Sequence, residues 1–347
     1  MNKIRVLVID DSALIRKMLT GVLADCTDIE VVGTANDPII AREKIKLLNP
    51  DVLTLDVEMP RMNGIQFLSN LMRLRPMPVV MVSTLTEAGA PVTLEALEIG
   101  AVDYIAKPHA EDETQFRNFA RNLVEKVRMA ATARVRALQD QHQVRFRQKP
   151  PAGDGNYKRW VVLGSSTGGT EAIKEVLESL PANCPPILIT QHIPAVFSAS
   201  FAQRLDRIVE PEVLEASNGL EVCPGRVIIA QGDHHLTFRK EGDKVVCVLN
   251  AAAPVNRHRP SVEMMFDAIT SVKPASSLVA VMLTGMGADG AAAMKRLHNG
   301  GAKTIAQDEH TSVVWGMPKM AVEFGAADQV LPLQNIGAAL LEQARHS

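Results

Sequence analysis

Residues 159–172 read Arg-Trp-Val-Val-Leu-Gly-Ser-Ser-Thr-Gly-Gly-Thr-Glu-Ala, and this stretch decides the fold of the second half of the chain. An apolar run from Trp160 to Leu163 breaks at Gly164 into hydroxyl residues and glycines, and a helical pattern starts near Glu171. A strand that ends in a glycine-rich turn and leads into a helix presents that turn at the carboxyl edge of a parallel sheet. Because helix N-termini favour negative charge, the turn predicts either a nucleophilic hydroxyl or a phosphate site.

Two later apolar runs end in groups that can serve a nucleophile. One is Ile187-Leu-Ile-Thr-Gln-His192, which ends in an imidazole. The other is Leu278–Thr284, which is followed by Gly285-Met-Gly-Ala-Asp-Gly290 and then by a helical pattern. Since the carboxyl ends of parallel strands meet in one crevice, we expect the polar groups after these three strands to lie together.

Ser166, His192 and Asp289 form the candidate catalytic set. A hydroxyl, an imidazole and a carboxylate supply a nucleophile, a base and a group that orients the base. Each residue alone has a simpler structural reading, as a helix cap for the serine or aspartate and as a hydrogen-bonded strand end for the histidine. The chain order differs from that of α/β-hydrolases.

The first 110 residues predict a second α/β unit with five strands. Apolar strand patterns alternate with helical patterns, as in a doubly wound parallel sheet. The strand patterns are Ile4–Ile9, Ile29–Ala35, Asp51–Leu55, Met77–Val82 and Val102–Ala106, and the helical ones are Ser12–Asp25, Asp37–Leu48, Gly64–Leu74 and Val92–Ile99.

Polar groups again follow the strands of this first unit. Asp10, Asp11 and Asp56 would repel one another without a cation, and all-oxygen ligands favour Mg²⁺. A carboxylate beside Mg²⁺, Lys107 and a hydroxyl of Ser83-Thr84 can accept a phosphoryl group, because the cations offset the charge of the transferring oxygens. Taken singly, the aspartates could be helix caps and the lysine a surface ion-pair partner.

Composition limits the class of protein. The net charge of −2 and the 4% aromatic content give no nucleic-acid signature. No apolar run reaches the roughly 18 residues of a membrane span, and the start of the chain lacks a signal-peptide layout. The four cysteines show no C-x-x-C spacing, which favours free thiols and a cytoplasmic protein; they are Cys26, Cys184, Cys223 and Cys247.

The segment between the two units is basic. Helical spacing from Thr114 to about Leu138 predicts an extension of the last helix of the first unit, and residues 149–156 have linker composition. We expect domains at 1–127 and 158–347, joined by a linker at 128–157. A solvated linker is the simpler interpretation of its charge, and a docking site for an acidic partner is the alternative.

Three further stretches of the second half leave alternatives. Short strand patterns at Val213–Ala230, Leu236–Arg239 and Val245–Leu249 predict a small antiparallel hairpin region. The pair His234-His235 suggests a metal, but without a third ligand at plausible spacing we favour a structural role. The stretch Asn256-Arg-His-Arg259 could bind a carboxylate or rim the active site, and ordinary surface is the alternative.

The first unit resembles the receiver domains of response regulators. The matching residues are Asp10, Asp11, Asp56, Met59-Pro60, Asn63-Gly64, Ser83, Tyr104 and Lys107-Pro108. The resemblance implies phosphorylation of Asp56 with Mg²⁺ held by Asp10, Asp11 and Asp56. It also implies switch roles for Ser83, Tyr104 and Lys107, with Thr84 replacing Ser83 if the register differs by one.

The second unit resembles the catalytic domain of the chemotaxis protein-glutamate methylesterases, the CheB family. The matching motifs are Gly164–Ala172, Thr190–Pro194, Pro254–Ser261, Leu283–Gly290 and Gly316–Pro318. The resemblance implies a Rossmann-like α/β fold and a serine hydrolase with Ser166 as nucleophile, although Ser165 adds a second hydroxyl where many relatives carry alanine. For the oxyanion site the candidates are the backbone at Thr167 and Gly168 and the turn at Met286.

The function implied by the resemblance is demethylation of glutamyl methyl esters on chemoreceptors, with deamidation of glutamines, in chemotactic adaptation. The expected partners are methyl-accepting chemoreceptors and a chemotaxis histidine kinase, without nucleic acid and without membrane insertion, in the cytoplasm at receptor arrays. The esterase reaction needs no cofactor, and the family implies that the unphosphorylated receiver covers the catalytic cleft. A signalling scaffold that binds an anion at the glycine-rich turn is the alternative, but a binding module has no need of Ser166, His192 and Asp289 together.

Overall fold

The structure is a computed structural model that describes residues 3–59, 63–84, 90–108, 113–135 and 155–345. The chain divides into two compact units, Met1–Val144 and Arg145–Ser347. Most of the predicted linker, including residues 149–154, lies outside the described residues, so the predicted domain limits stay predictions. Among the described helices, none combines the length and apolarity needed to cross a membrane.

The first unit is a five-stranded parallel sheet flanked by helices. Its strands lie in the order β2-β1-β3-β4-β5, and the reversal of direction at β1 and β3 creates a crevice at their carboxyl ends. In chain order the elements are β1 (Ile4–Ile9), α1 (Ala13–Ala24), β2 (Ile29–Ala35), α2 (Pro38–Leu48), β3 (Val52–Asp56), α3 (Gly64–Leu74), β4 (Val79–Ser83), α4 (Ala90–Ile99), β5 (Asp103–Ala106) and α5 (Glu113–Thr132).

Local chemistry explains the helix boundaries of this unit. The carboxylate of Asp37 accepts hydrogen bonds from the N–H groups of Ile39 and Ile40 at 2.8 and 2.9 Å, which caps α2 ahead of Pro38. Helix α5 ends at Thr132, short of the Leu138 that the helical spacing predicted, and residues 136–138 lie outside the described residues.

The second unit contains a seven-stranded parallel sheet with the order β14-β13-β12-β6-β7-β9-β8. The apolar strands β6, β7 and β12 are buried on both faces because helices cover the sheet. Its elements are β6 (Trp160–Ser165), α6 (Gly169–Leu177), β7 (Ile187–Gln191), α7 (Ala195–Asp206), β8 (Glu212–Glu215), β9 (Arg226–Ile229), β10 (His235–Glu241), β11 (Lys244–Asn250), α8 (Val262–Ala268), β12 (Leu278–Met282), α9 (Ala291–Asn299), β13 (Lys303–Gln307), α10 (Met317–Glu323), β14 (Gln329–Leu331) and α11 (Leu333–Arg345).

The predicted antiparallel region is confirmed for β10 and β11, which form a two-stranded hairpin. The expectation was wrong for the strands within Val213–Ala230, because β8 and β9 join the main sheet and run parallel to each other. The turn residues between them do not reverse the chain into a hairpin. Instead the connection lies antiparallel to β11, with Glu221 opposite Val246 and the N–H of Val222 donating to Val245 at 2.9 Å.

Candidate active site

The three predicted catalytic residues follow three adjacent strands of the second unit. Ser166 comes directly after β6, His192 directly after β7, and Asp289 lies in the loop between β12 and α9. The chain runs from β6 to β7 on one side, and it later places β12 on the other side of β6. Their carboxyl ends therefore meet where the strand order reverses, which is the usual place for a site in an open parallel sheet.

His192 and Asp289 form a direct, buried pair. Nε2 of His192 lies 2.8 Å from Oδ2 of Asp289, and the side chains are only 8% and 2% exposed. The same carboxylate oxygen accepts the N–H of Val262 at 2.7 Å. The other oxygen, Oδ1, accepts from the side chains of Asn256 and Ser261 at 2.8 Å each. The carboxylate is thus held in one orientation by donors from several loops.

These donors set the ionisation of Asp289. Burial alone raises the pKa of a carboxyl, because it penalises the charged form. The hydrogen bond from His192 and its charge, together with the hydrogen bonds from Asn256 and Ser261, outweigh burial and lower the pKa of Asp289 to about 2. Asp289 is therefore an anion across the physiological range and can stabilise an imidazolium.

The imidazole of His192 leaves one nitrogen for chemistry. Because Nε2 faces Asp289, the other ring nitrogen is Nδ1; it is buried and has no hydrogen-bond partner among the described residues. The ring of His258 stacks on the ring of His192 with centroids 3.7 Å apart and an angle of 9° between the planes. The assigned geometry therefore offers Nδ1 as the nitrogen that can take a proton.

The two neighbouring serines have different environments. Ser165 is fully buried, and its hydroxyl donates to Oε1 of Gln191 at 2.7 Å. Ser166 is partly exposed, and its N–H donates to the carbonyl of Thr284 at 3.0 Å, in the segment that follows β12. The backbone N–H of His192 donates to the carbonyl of Ser165 at 3.1 Å, so the serine turn and the histidine are directly connected. Of the two serines, only Ser166 is partly exposed to solvent.

The backbone positions predicted to bind an oxyanion lie at the same edge. Thr167 is buried, and Gly168 precedes the first turn of α6 with φ of +73°. Met286 lies on the loop after β12 and is 39% exposed. The two segments approach closely, since a Cβ built on Gly285 would lie 2.7 Å from the Cβ of Ser166.

Sequence reasoning missed several residues that hold the site together. Asn256 and His258 belong to the stretch 256–259, for which the sequence allows either an active-site role or ordinary surface. Asn256 contacts Asp289 and His258 stacks on His192, which favours the active-site alternative. Ser261 and Gln191 were quoted only as parts of motifs. The structural interpretation of His235 agrees with its contacts, since the buried ring lies 3.1 Å from the carbonyl of Ala253 and 3.2 Å from the N–H of Ser261.

A second cluster lies at the carboxyl edge of the first unit. Carboxylate oxygens of Asp10, Asp11 and Asp56 all lie within 4.8 Å of one another. The amine of Lys107 is 3.0 Å from Oδ2 of Asp10 and 2.7 Å from Oδ2 of Asp56. Burial raises the pKa of Asp56 to about 6, the charge of Asp10 adds to this, and Lys107 opposes it. The concentration of negative charge and the all-oxygen donor set fit a divalent cation such as Mg²⁺.

The predicted switch residues Ser83 and Tyr104 lie on β4 and β5, beyond the strand β3 that carries Asp56. Ser83 is the last residue of β4 and is buried, with its hydroxyl donating to the carbonyl of Thr84 at 3.2 Å, whereas Thr84 is exposed. Tyr104 on β5 is paired with Met81 of β4. Burial raises the pKa of Tyr104. The register therefore favours Ser83 over Thr84 as the buried hydroxyl at the strand end.

Comparison with known proteins places both units in known families. The CheB methylesterase family model matches residues 161–340, and the response regulator receiver domain model matches residues 6–117. The chain belongs to the CheB methylesterase family. A protein-glutamate methylesterase/protein-glutamine glutaminase of Nitrosomonas europaea is 50% identical over 98% of this chain and 96% of its own length. A similarly named protein of Hahella chejuensis is 52% identical over 97% of this chain and 95% of its own.

A solved structure extends the likeness to three dimensions. The CheB methylesterase catalytic domain of Thermotoga maritima is 42% identical, with a TM-score of 0.52, and the match covers 53% of this chain and 97% of that domain. The two family models match the receiver unit first and the catalytic unit second, which is the order of the sequence motifs.

Proposed function

We propose that this chain is a phosphorylation-controlled serine hydrolase that removes methyl groups from glutamyl methyl esters of chemoreceptors and deamidates glutamines at the same sites. The observation that carries the proposal is the buried pair of His192 and Asp289 beside the accessible Ser166, at one crevice of the sheet. The names of the Nitrosomonas and Hahella relatives support the two substrate classes.

The proposed reaction uses the three residues as a nucleophile, a base and an orienting carboxylate. The hydroxyl oxygen of Ser166 attacks the ester carbonyl, and Nδ1 of His192 takes the hydroxyl proton. Asp289 accepts the N–H of Nε2 and stabilises the imidazolium. The carbon–oxygen bond to the methoxy group then breaks, and His192 returns the proton so that methanol leaves. With a glutamine substrate, ammonia leaves in place of methanol.

Hydrolysis of the acyl-enzyme reverses these roles. Water attacks the acyl carbon, and Nδ1 of His192 takes a proton from it. The bond from the acyl carbon to the oxygen of Ser166 breaks, and the serine regains its proton, which releases glutamate. Backbone N–H groups near Thr167, Gly168 and Met286 are proposed to bind the oxyanion in both steps, because they lie at the start of α6 and on the facing loop.

Control is proposed to act through Asp56. Asp10, Asp11 and Asp56 would hold Mg²⁺, which offsets the charge of the phosphoryl oxygens when bound. Lys107 is close enough to contribute a further positive charge beside the acceptor carboxylate. A chemotaxis histidine kinase is the proposed phosphodonor, and methylated chemoreceptors in receptor arrays are the proposed substrate.

The test is methanol release from methylated receptor membranes, measured with purified full-length protein. We expect Ser166→Ala to lower kcat by at least about 10³-fold, since loss of a nucleophile leaves only binding and oxyanion contributions. Ser217→Ala removes an exposed serine outside the site and serves as the matched control. His192→Gln should have a similar effect, whereas His298→Gln, which removes a histidine paired with Asp328 at 3.0 Å, should leave kcat unchanged.

Regulation is tested in the same assay with Mg²⁺ and a small-molecule phosphodonor. The initial rate should rise for the wild type and stay at its basal value for Asp56→Asn. Methanol release that persists in Ser166→Ala would disprove Ser166 as the nucleophile. Stimulation that persists in Asp56→Asn would place the phosphorylation site elsewhere.

A further inference from the structure

A buried side-chain amide connects the proposed nucleophile to the proposed base. Gln191 is the last residue of β7 and is paired in register with Ser165, the last residue of β6. The two residues are 4% and 0% exposed. Polar groups at such depth destabilise the fold unless each of them is hydrogen-bonded. The hydrogen bonds of Gln191 therefore determine its role.

Every polar atom of the Gln191 amide has a partner. Its Oε1 accepts the hydroxyl of Ser165 at 2.7 Å. Its Nε2 donates to the backbone carbonyl of Ser166 at 2.8 Å and to the backbone carbonyl of His192 at 3.2 Å. The reverse orientation of the amide would place its oxygen against these two carbonyl oxygens, so the two carbonyls and the hydroxyl of Ser165 together hold the amide in one orientation.

The two carbonyls belong to the residues that must be aligned for proton transfer. The carbonyl of Ser166 also accepts the N–H of Gly169 at 2.8 Å, which joins it to the first turn of α6. The N–H of His192 donates to Ser165 at 3.1 Å. Gln191 thus closes a hydrogen-bonded ring that fixes the peptide after β6 relative to the peptide after β7.

Space for this ring depends on one glycine. A Cβ on Gly169 would lie 2.1 Å from Oε1 of Gln191 and 2.8 Å from the Cβ of Ser165. A larger residue at this position would displace the amide, because a contact below about 3.0 Å requires one of the atoms to move. Glycine at position 169 therefore leaves the space that the Gln191 amide occupies.

We propose that Gln191 is a positioning residue of the hydrolase site, which holds Ser166 and His192 in register through their backbone carbonyls, and that Ser165 orients its amide. This inference rests on the proposed function. Misplacement of a catalytic group by about 1 Å costs about 10²-fold in rate, so the ring acts on the chemical step and not on substrate affinity.

The test compares three variants of the full-length protein by kcat and KM on methylated receptor membranes. Gln191→Met keeps the approximate size of the side chain but removes both N–H donors, and we expect kcat to fall about 10- to 100-fold with KM within about threefold of wild type. Ser165→Ala leaves the donors in place and removes the hydroxyl that orients them, so kcat should fall about 2- to 10-fold.

Thr190→Val is the matched control. Thr190 precedes Gln191 on β7, is fully buried, and directs its hydroxyl to the sulfur of Met265 at 3.1 Å instead of to the site. Its replacement should lower the thermal midpoint without changing kcat per folded molecule. The rate of covalent labelling of Ser166 by a fluorophosphonate gives a second readout, and it should fall in parallel with kcat in the Gln191 and Ser165 variants only.

The outcomes separate this inference from the proposed function. If the wild type is not labelled at Ser166, or if Ser166→Ala retains activity, the assignment of Ser166 as the nucleophile fails, and with it the proposed mechanism. If the wild type behaves as a serine hydrolase and Gln191→Met matches its kcat and labelling rate at a lowered thermal midpoint, Gln191 is merely structural and the inference is overturned. If Gln191→Met does not fold, Ser165→Ala decides: a kcat equal to that of wild type rejects the positioning role.

Discussion

Replacing Asp289 by asparagine tests the proposed geometry most directly. Oδ2 of Asp289 accepts from both His192 and Val262, and Oδ1 accepts from Asn256 and Ser261. An amide has one oxygen and one NH₂ group, so it cannot accept on both sides. With its oxygen in place of Oδ1, its NH₂ group would face Nε2 of His192 and the N–H of Val262.

This arrangement forces the wrong tautomer on the base. His192 would accept at Nε2 and carry its proton on Nδ1, the nitrogen that must be free to take the proton of Ser166. A comparable tautomer change in other serine hydrolases costs about 10⁴-fold in kcat, and we expect Asp289→Asn to have an effect of this size. The N–H of Val262 would lose its acceptor, which costs about 1–3 kcal/mol. For a unit of this size, such a loss corresponds to a fall of roughly 2–12 °C in the thermal midpoint.

The assay is methanol release per folded molecule, with kcat and KM determined separately. Asp328→Asn is the matched control, because Asp328 also contacts a histidine, His298, at 3.0 Å, but outside the site. Asp289→Asn should lower kcat with little change in KM, and Asp328→Asn should change neither. A kcat for Asp289→Asn above about a tenth of the wild-type value would refute the tautomer argument, since the geometry allows no such retention.

Three further predictions concern Asp289, Asp56 and Gly285. Acid should destabilise the second unit through Asp289, because its pKa of about 2 lies below the usual 3.8. The ionised carboxylate contributes about 2 kcal/mol to the free energy of unfolding above pH ~4, and this contribution is lost as the pH falls toward 2. In acid-unfolding curves, Asp289→Asn should abolish this pH dependence. In the first unit the pH dependence of stability has the opposite sign, because the pKa of Asp56 is raised to about 6. Without metal, the free energy of unfolding should decrease as the pH rises from about 4 to 6. Mg²⁺ should raise the thermal midpoint of the wild type more at pH 7.5 than at pH 5, and this difference should be absent in Asp56→Ala. Gly285→Ala should abolish methanol release, because the new Cβ would lie 2.7 Å from the Cβ of Ser166 and 2.5 Å from the sulfur of Met317. Gly219→Ala is the control, since no atom lies within 4 Å of its Cβ. This variant should retain full activity and lose only stability, because Gly219 has a φ of +84°.

The strands and the polar groups that follow them could be predicted from the sequence, because buried parallel strands are short apolar runs and their carboxyl ends converge. This rule was sufficient to place Ser166 and His192 next to each other. Asp289 stands further from its strand, in the loop after β12, beyond Met282 at the strand end. Its position there depends on α8, whose first N–H, that of Val262, donates to its carboxylate.

The direction of β8 and β9 could not be predicted from local pattern. The Asn218-Gly219 and Pro224-Gly225 dipeptides are typical of hairpin turns, and a parallel connection usually contains a helix. Here the connection runs antiparallel to β11 instead, with the N–H of Cys247 donating to Leu220 at 2.8 Å and the N–H of Gly219 donating to Cys247 at 2.9 Å. Which strand a turn segment contacts is a tertiary property that the turn sequence does not encode.

The supporting residues of the site were hidden for a related reason. Asn256 and His258 lie between β11 and α8, in a segment without a strand pattern. The sequence of this segment therefore does not show how close it comes to His192 and Asp289. Gln191 looks like an ordinary polar residue at a strand end. Only the register of β6 with β7, which pairs it with Ser165, shows that its amide reaches two backbone carbonyls.

The position of β12 next to β6 has a consequence for protein synthesis. The proposed nucleophile and base are already present when the ribosome has translated β7. The carboxylate proposed to orient the base is encoded almost 100 residues later, since His192 and Asp289 are separated by 97 positions. Because domains fold as units from the N-terminus during translation, the first unit can acquire its structure while the hydrolase centre is still incomplete. A nascent chain that has not yet emerged as far as Asp289 therefore carries the serine turn without the complete proposed catalytic set, and we expect esterase activity only after Asp289 has been translated.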